Sequence, residues 1–166
     1  GMSFRRRDGE NSNSALCVSV LPSDYGHSAE GAIEFQHRLE KKAFEAGGRD
    51  YSAPISTVGD FLNKTQTHKL GRVKPSYGPS VKFAAPEEYL PEFVCETMRA
   101  GIREMGRKIK GFDASDAVLT GIESRSSSPV RINRGDDMQS VSLKGLYPCG
   151  EGAGYAGGIV SAAVDG

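Results

Sequence analysis

Apolar residues recur along this chain with two different periods, and two long stretches carry the helical one. From Gly31 to Ala46, residues Ile33, Phe35, Leu39, Ala43, Phe44 and Ala46 fall at helical spacing, and Gly47-Gly48 stops the pattern. From Leu90 to Lys110, residues Phe93, Val94, Met98, Ile102, Met105 and Ile109 do the same, with Pro91 at the opening and Gly111 at the end. In this second stretch Glu92 and Glu96 come early and Arg99, Arg103, Arg107, Lys108 and Lys110 late, an order that complements a helix dipole. The shorter apolar runs read as extended chain. Ala15–Leu21 is a short apolar run with β-branched members closed by Pro22, and Ala117–Thr120 reads as a short strand too. Val130–Ile132 and the alternating Ser140–Lys144 read the same way, with a brief extended segment at Asp50–Pro54. Thr57 is placed to cap a short helix or turn through Leu62.

The intervening stretches are polar. Residues 3–14 and 23–29 read as loops, 124–129 as an exposed loop and 133–139 as a turn. Residues 63–86 carry Gly71, Pro75, Gly78, Pro79 and Pro86 among few apolar positions, which predicts a long surface excursion. The succession predicts an α+β fold, with a mixed sheet and two main helices, rather than a regular doubly wound sheet. Residues 1–139 read as one domain that includes loop 63–86. Residues 140–166 read as a strand, a glycine turn and the start of a helix.

A length of 166 residues accommodates one well-buried core, or a core plus a small lobe. The 21 basic and 21 acidic residues leave no net charge, so nothing draws the chain as a whole toward nucleic acid or acidic membranes. The basic clusters Arg5–Arg7 and Lys69–Lys74 lack interleaved aromatics, and no nucleic-acid partner is expected. No run approaches 18 apolar residues, so no membrane span is expected. The leading Gly1-Met2 reads as an expression remnant or as a start placed inside a longer chain. Cys17, Cys95 and Cys149 are widely spaced and odd in number, which favours a reducing, cytoplasmic setting. With only His27, His37 and His68 and no tight His/Cys/Asp cluster, no metal is expected.

Two constellations carry candidate chemistry. In Gly150-Glu-Gly-Ala-Gly-Tyr-Ala-Gly-Gly158, five glycines precede an apolar helix start at Ile159. The amides of Gly154, Tyr155, Ala156, Gly157 and Gly158 would face a ligand's anionic or carbonyl oxygens, and Glu151 would accept from hydroxyls, as suits a sugar or ribityl chain. The alternative is a turn whose glycines merely allow close helix–sheet packing. Gly152, Gly154 and Gly157 satisfy the Gly-x-Gly-x-x-Gly spacing, yet no ribose-binding strand follows, so this is not the dinucleotide fingerprint. The second constellation is Thr120-Gly-Ile-Glu-Ser-Arg-Ser-Ser-Ser-Pro-Val-Arg-Ile132. Here Arg125 and Arg131 could clamp a carboxylate or phosphate with Ser126, Ser127 and Ser128 as added donors, and Glu123 could orient one arginine. The alternative is a solvated loop with ordinary ion pairs. His27 is either an acid/base group or a loop residue. Tyr155 either stacks near a planar ring or covers the helix start.

The stretch from Gly145 to Gly166 resembles the C-terminal flavin-binding motif of the bacterial FAD-dependent dehydrogenase family, relatives of the two-dinucleotide-binding-domain flavoproteins. Leu119–Ile132 resembles a second motif of that family, and Asn13–Val20 and Leu90–Val94 fit as well, so the similarity runs along nearly the whole chain. The resemblance implies a substrate or cap domain in 1–139 and a partial return into the FAD-binding domain in 140–166. It implies that Gly150, Glu151, Gly152, Gly154, Tyr155, Ala156, Gly157, Gly158 and Ile159 lie on FAD, with Glu151 facing the ribityl–phosphate part. Arg125, Ser126, Ser127, Ser128 and Arg131 would line the flavin or substrate side, and no catalytic residue is assigned. The family's N-terminal glycine-rich unit is absent here. The parent is therefore expected to be an FAD-dependent oxidoreductase whose N-terminal FAD-binding domain is this piece's partner. The piece alone is expected to hold little or no FAD and to be inactive. Two other roles stay open: a non-catalytic module for an anionic small molecule, and a structural domain packed against a dinucleotide-binding partner.

Overall fold

The computed structural model describes residues 5–166; the reading of Gly1-Met2 and the first positions of the polar 3–14 stretch lie outside the described residues. The fold is α+β, with a small mixed three-stranded sheet and several helices. The described residues divide into two compact units, one of 5–20 with Arg38–Ile122 and the other of Leu21–His37 with Glu123–Gly166. Helix α1 is Pro22–Tyr25, and α2 (Ala29–Ala46) contributes residues to both units. Along α2 the buried stripe is Ala32, Phe35, Leu39 and Ala43, whereas Ile33 faces outward. Gly48 ends the helix in left-handed backbone.

In the first unit β1 (Ala53–Thr57) is central, paired parallel with β2 (Val81–Phe83) and antiparallel with β3 (Val118–Thr120). All five β1 residues are buried. The sequence places the extended segment too early, at Asp50–Pro54, because a proline normally closes a strand. Here Pro54 still pairs through its carbonyl, which accepts from the Gly121 N–H at 2.9 Å. Strand β2 lies inside the expected 63–86 loop. It is short and has an exposed Phe83, so its ladder on β1 defines it and its own hydrophobic pattern does not.

Thr57 ends β1 and caps α3 (Val58–Asn63), as expected, accepting from the Asp60 N–H at 3.2 Å. The Asp60 carboxylate in turn receives the hydroxyls of Thr57 (2.7 Å), Thr67 (2.8 Å) and Thr65 (3.2 Å), which pins the start of the following loop to the helix. These donors hold the Asp60 carboxyl below the ordinary carboxylate range.

A short 3-10 helix (Pro86–Glu88) leads into α4 (Glu92–Lys108), whose Cys95 and Ile102 pack with Val58 and Phe61 as the core. Arg99, one of the bases that come late in this helix, is buried. It donates through Nε to the Phe61 carbonyl at 2.8 Å, stacks 4.4 Å from that ring and pairs with Glu87 and Glu96. One turn on, Arg103 donates to the Leu62 carbonyl at 3.0 Å. Two arginines of α4 thus satisfy carbonyls at the C-terminus of α3, where the helix leaves acceptors unpaired and carries partial negative charge.

Three expected strands do not form. Residues 15–20 keep a period-two alternation, with Leu16, Val18 and Val20 half-buried, but join no ladder. Alternation sets an extended backbone; a strand also needs a neighbouring edge. Val130–Ile132 is irregular, and 140–147 folds into turns, with the Ser140 N–H on the Leu146 carbonyl at 2.8 Å and one isolated bridge from Arg134 to Ser140. The final helix, α5 (Ile159–Asp165), begins where the sequence places it.

Candidate functional site

The second unit brings both motifs together. The Ile132 N–H donates to the Ala153 carbonyl at 3.1 Å and Arg131 Nε to the Gly154 carbonyl at 3.0 Å, so 130–132 runs along the glycine turn. Gly154 has a φ of +83°, and a Cβ there would stand 2.5 Å from the Val130 carbonyl oxygen and 3.0 Å from Arg131 Cα. Both the backbone conformation and the close approach therefore require glycine. Gly150 also lies in left-handed backbone, at +68°.

Tyr155 links the two segments. Its hydroxyl donates to the Ile132 carbonyl and accepts from the Arg134 N–H, both at 3.1 Å. Its ring carries two guanidinium groups, with Arg134 at 3.8 Å and Arg131 at 4.9 Å from the centroid. Arg134 then forks onto Asp165 at 2.6 and 3.0 Å and reaches the Pro148 carbonyl at 2.8 Å. Asp165 also accepts from the Gly150 N–H at 2.8 Å. An acid in the last turn of α5 opposes the helix dipole, and the bidentate arginine offsets it. The pairing holds the Asp165 carboxyl below its ordinary range and pushes Arg134 above its own.

Two of the amides expected to face a ligand are used inside the turn: Gly154 N–H on the Glu151 carbonyl (2.9 Å) and Tyr155 N–H on the Gly150 carbonyl (3.0 Å). Gly152 and Gly157 differ from Gly154. Neither has left-handed backbone, and a Cβ at either would meet nothing within 4 Å. The packing of this unit therefore does not explain why glycine stands there. Glu151 is half-buried beside Gly152. At Gly152 and Gly157, both exposed, the backbone is left bare.

Of the second constellation, Arg131 is committed to the turn. Ser128 closes its own bend by donating to the Val130 carbonyl at 2.7 Å. Arg125, Ser126 and Ser127 stand exposed on the preceding loop. His27 is exposed in left-handed backbone just after α1, its N–H on the Pro22 carbonyl at 2.9 Å, which makes it a turn residue. Sequence reasoning missed Arg134 and Asp165. They lie far apart in the chain, and the only local hint is the acid at a helix end that calls for a cation.

Elsewhere, burial pushes the Cys95 thiol up to about 11, so it stays protonated in the core, while Cys17 and Cys149 are exposed. Among the described residues, no group of three His, Cys, Asp or Glu could hold a metal ion, and no helix is long and apolar enough to cross a membrane. The shifted groups of the turn, Arg134 and Asp165, neutralise one another.

Residues 1–126 match the family model described as "FAD-dependent protein, C-terminal domain-like", and the chain belongs to that family. An uncharacterized protein of Clostridium beijerinckii is 50% identical over 167 residues, an alignment that covers 100% of this chain and 31% of that protein. The chain thus spans about a third of the length of the curated relative it matches.

Proposed function

We propose that these residues form the C-terminal, substrate-side part of an FAD-dependent oxidoreductase. On this reading 1–139 is the substrate or cap domain, and 140–166 returns into the FAD-binding domain. The N-terminal FAD-binding domain lies in polypeptide outside these residues, and the protein works in the reducing cytoplasm. When bound, FAD supplies a two-electron acceptor that the side chains do not. Glu151 accepts hydrogen bonds from the ribityl hydroxyls, and Gly152, Gly157 and Gly158 let the backbone approach the cofactor. The start of α5 at Ile159 sets its positive end near the flavin. Arg125, Ser126 and Ser127 bind the substrate side, while Ser128 and Arg131 shape the loop that carries them. Because the cofactor contacts are shared with the rest of the polypeptide, these residues alone retain little or no FAD and do not turn over.

Family membership supports the flavin. The observation that carries the placement is the pair of glycines, Gly152 and Gly157, that internal packing leaves unexplained. The test is the absorption spectrum of the purified full-length polypeptide, as isolated and after mixing with FAD. Flavin bands that bleach with dithionite or a reduced nicotinamide are expected. A polypeptide that holds no flavin under either condition overturns the reading.

A further inference from the structure

Helix α5 turns its apolar side away from the unit that holds it. Ile159, Val160 and Val164 are 91%, 77% and 82% exposed, and Ala163 is exposed as well. At about 100° per residue these four positions share one face. The opposite face carries Ala162, which lies against Gly150, and Asp165, which is fastened to Arg134 and to the Gly150 N–H. The usual arrangement is inverted, with the ion pair turned inward and the stripe of Ile and Val outward. A contiguous apolar face of this kind marks an interaction surface.

We infer that this face is the seat of an apolar surface on the rest of the same polypeptide, outside these 166 residues; the inference rests on the proposed parent flavoprotein. Three observations select that occupant. The matched relative extends over more than three times the length aligned, so polypeptide is available to cover the face. A seven-residue helix bearing three large side chains is far short of the roughly 800 Å² per partner of a stable dimer. A tethered segment, in contrast, meets it at a high effective concentration and needs far less area. The helix also has no basic residue in its last turn, so it lacks the cationic flank with which an amphipathic helix holds an acidic lipid surface. The Arg134–Asp165 fork then serves to present the stripe in one orientation before docking.

The inference is tested on the full-length polypeptide by hydrogen exchange of the peptide covering 156–166, at two protein concentrations, with and without FAD. At least hundredfold slower exchange than in an unstructured chain is expected over 160–165, independent of concentration. Val160→Asp with Val164→Asp should abolish that protection, while Ser161→Asp, the same charge off the stripe, should preserve it. Exchange at the unstructured rate overturns the inference. So does protection that rises with concentration in step with a dimer mass, or protection that the paired substitution leaves intact. Protection in a polypeptide that never holds FAD upholds this interface and removes the flavin reading; bound FAD with an unprotected helix does the reverse.

Discussion

Alanine at Gly154 and alanine at Gly157 should separate glycines that the fold needs from glycines that a ligand needs. At Gly154 the left-handed backbone costs an L-residue about 1–2 kcal/mol. The new Cβ would also stand 2.5 Å from the Val130 carbonyl oxygen. That oxygen cannot swing aside freely, because the neighbouring Ile132 N–H and Arg131 Nε are bonded to Ala153 and Gly154. Relief means loosening one or both bonds, at roughly 1 kcal/mol each. Gly154→Ala should therefore cost about 3 kcal/mol, or some 6–12 °C in Tm for a chain of this size. At Gly157 there is neither strain nor a neighbour, so Gly157→Ala should fall within about 0.5 kcal/mol of neutral. Its effect should be on flavin retention in the full-length polypeptide, where a lost close contact of about 1.4 kcal/mol is a tenfold weaker Kd. Thermal unfolding and FAD titration of the two variants decide the matter. A harmless Gly154→Ala would refute the packing argument. A Gly157→Ala that unfolds the protein, or binds FAD as tightly as the unsubstituted chain, would refute the assignment of that glycine to the cofactor.

Two further outcomes follow from the first unit. Arg99→Ala should lower stability by about 2–4 kcal/mol in urea unfolding, from a lost charged hydrogen bond to Phe61 and a lost buried stem. Most of that loss should persist in a Glu87→Gln background, because Glu87 is 40% exposed and its pairing contributes little; a cost that vanishes in that background would show the ion pair to be the source. Asp60 has a depressed folded-state pKa, so its hydroxyl cage stabilises the fold above the unfolded value near 3.8 and is lost as pH falls below it. Stability measured from pH 5 to pH 2 should fall less steeply in Asp60→Asn, and parallel curves would contradict the cage.

Much of the local structure was legible in the sequence alone. The two long helices, the Thr57 cap, the Ala117–Thr120 strand and the start of α5 rest on residues that are close in sequence, and periodicity or capping chemistry reports such contacts directly. The family-level relation was legible too, although the family model matches residues 1–126 and so leaves out the Gly145–Gly166 motif on which the resemblance chiefly rested. Tertiary structure decided the rest. Strand β2 exists because β1 offers it an edge, whereas the better-patterned 15–20 segment has no edge and forms no ladder. Arg99 is buried because the carbonyls of α3 need donors, a demand that α4 alone does not express. In the glycine-rich stretch the sequence marked the region but could not sort it. Gly154 is required by a backbone that arrives from residues 130–131, and Tyr155 and Asp165 are held by Arg131 and Arg134. Such pairings join segments that are distant along the chain, and only the folded geometry brings their charges and carbonyls within hydrogen-bonding range.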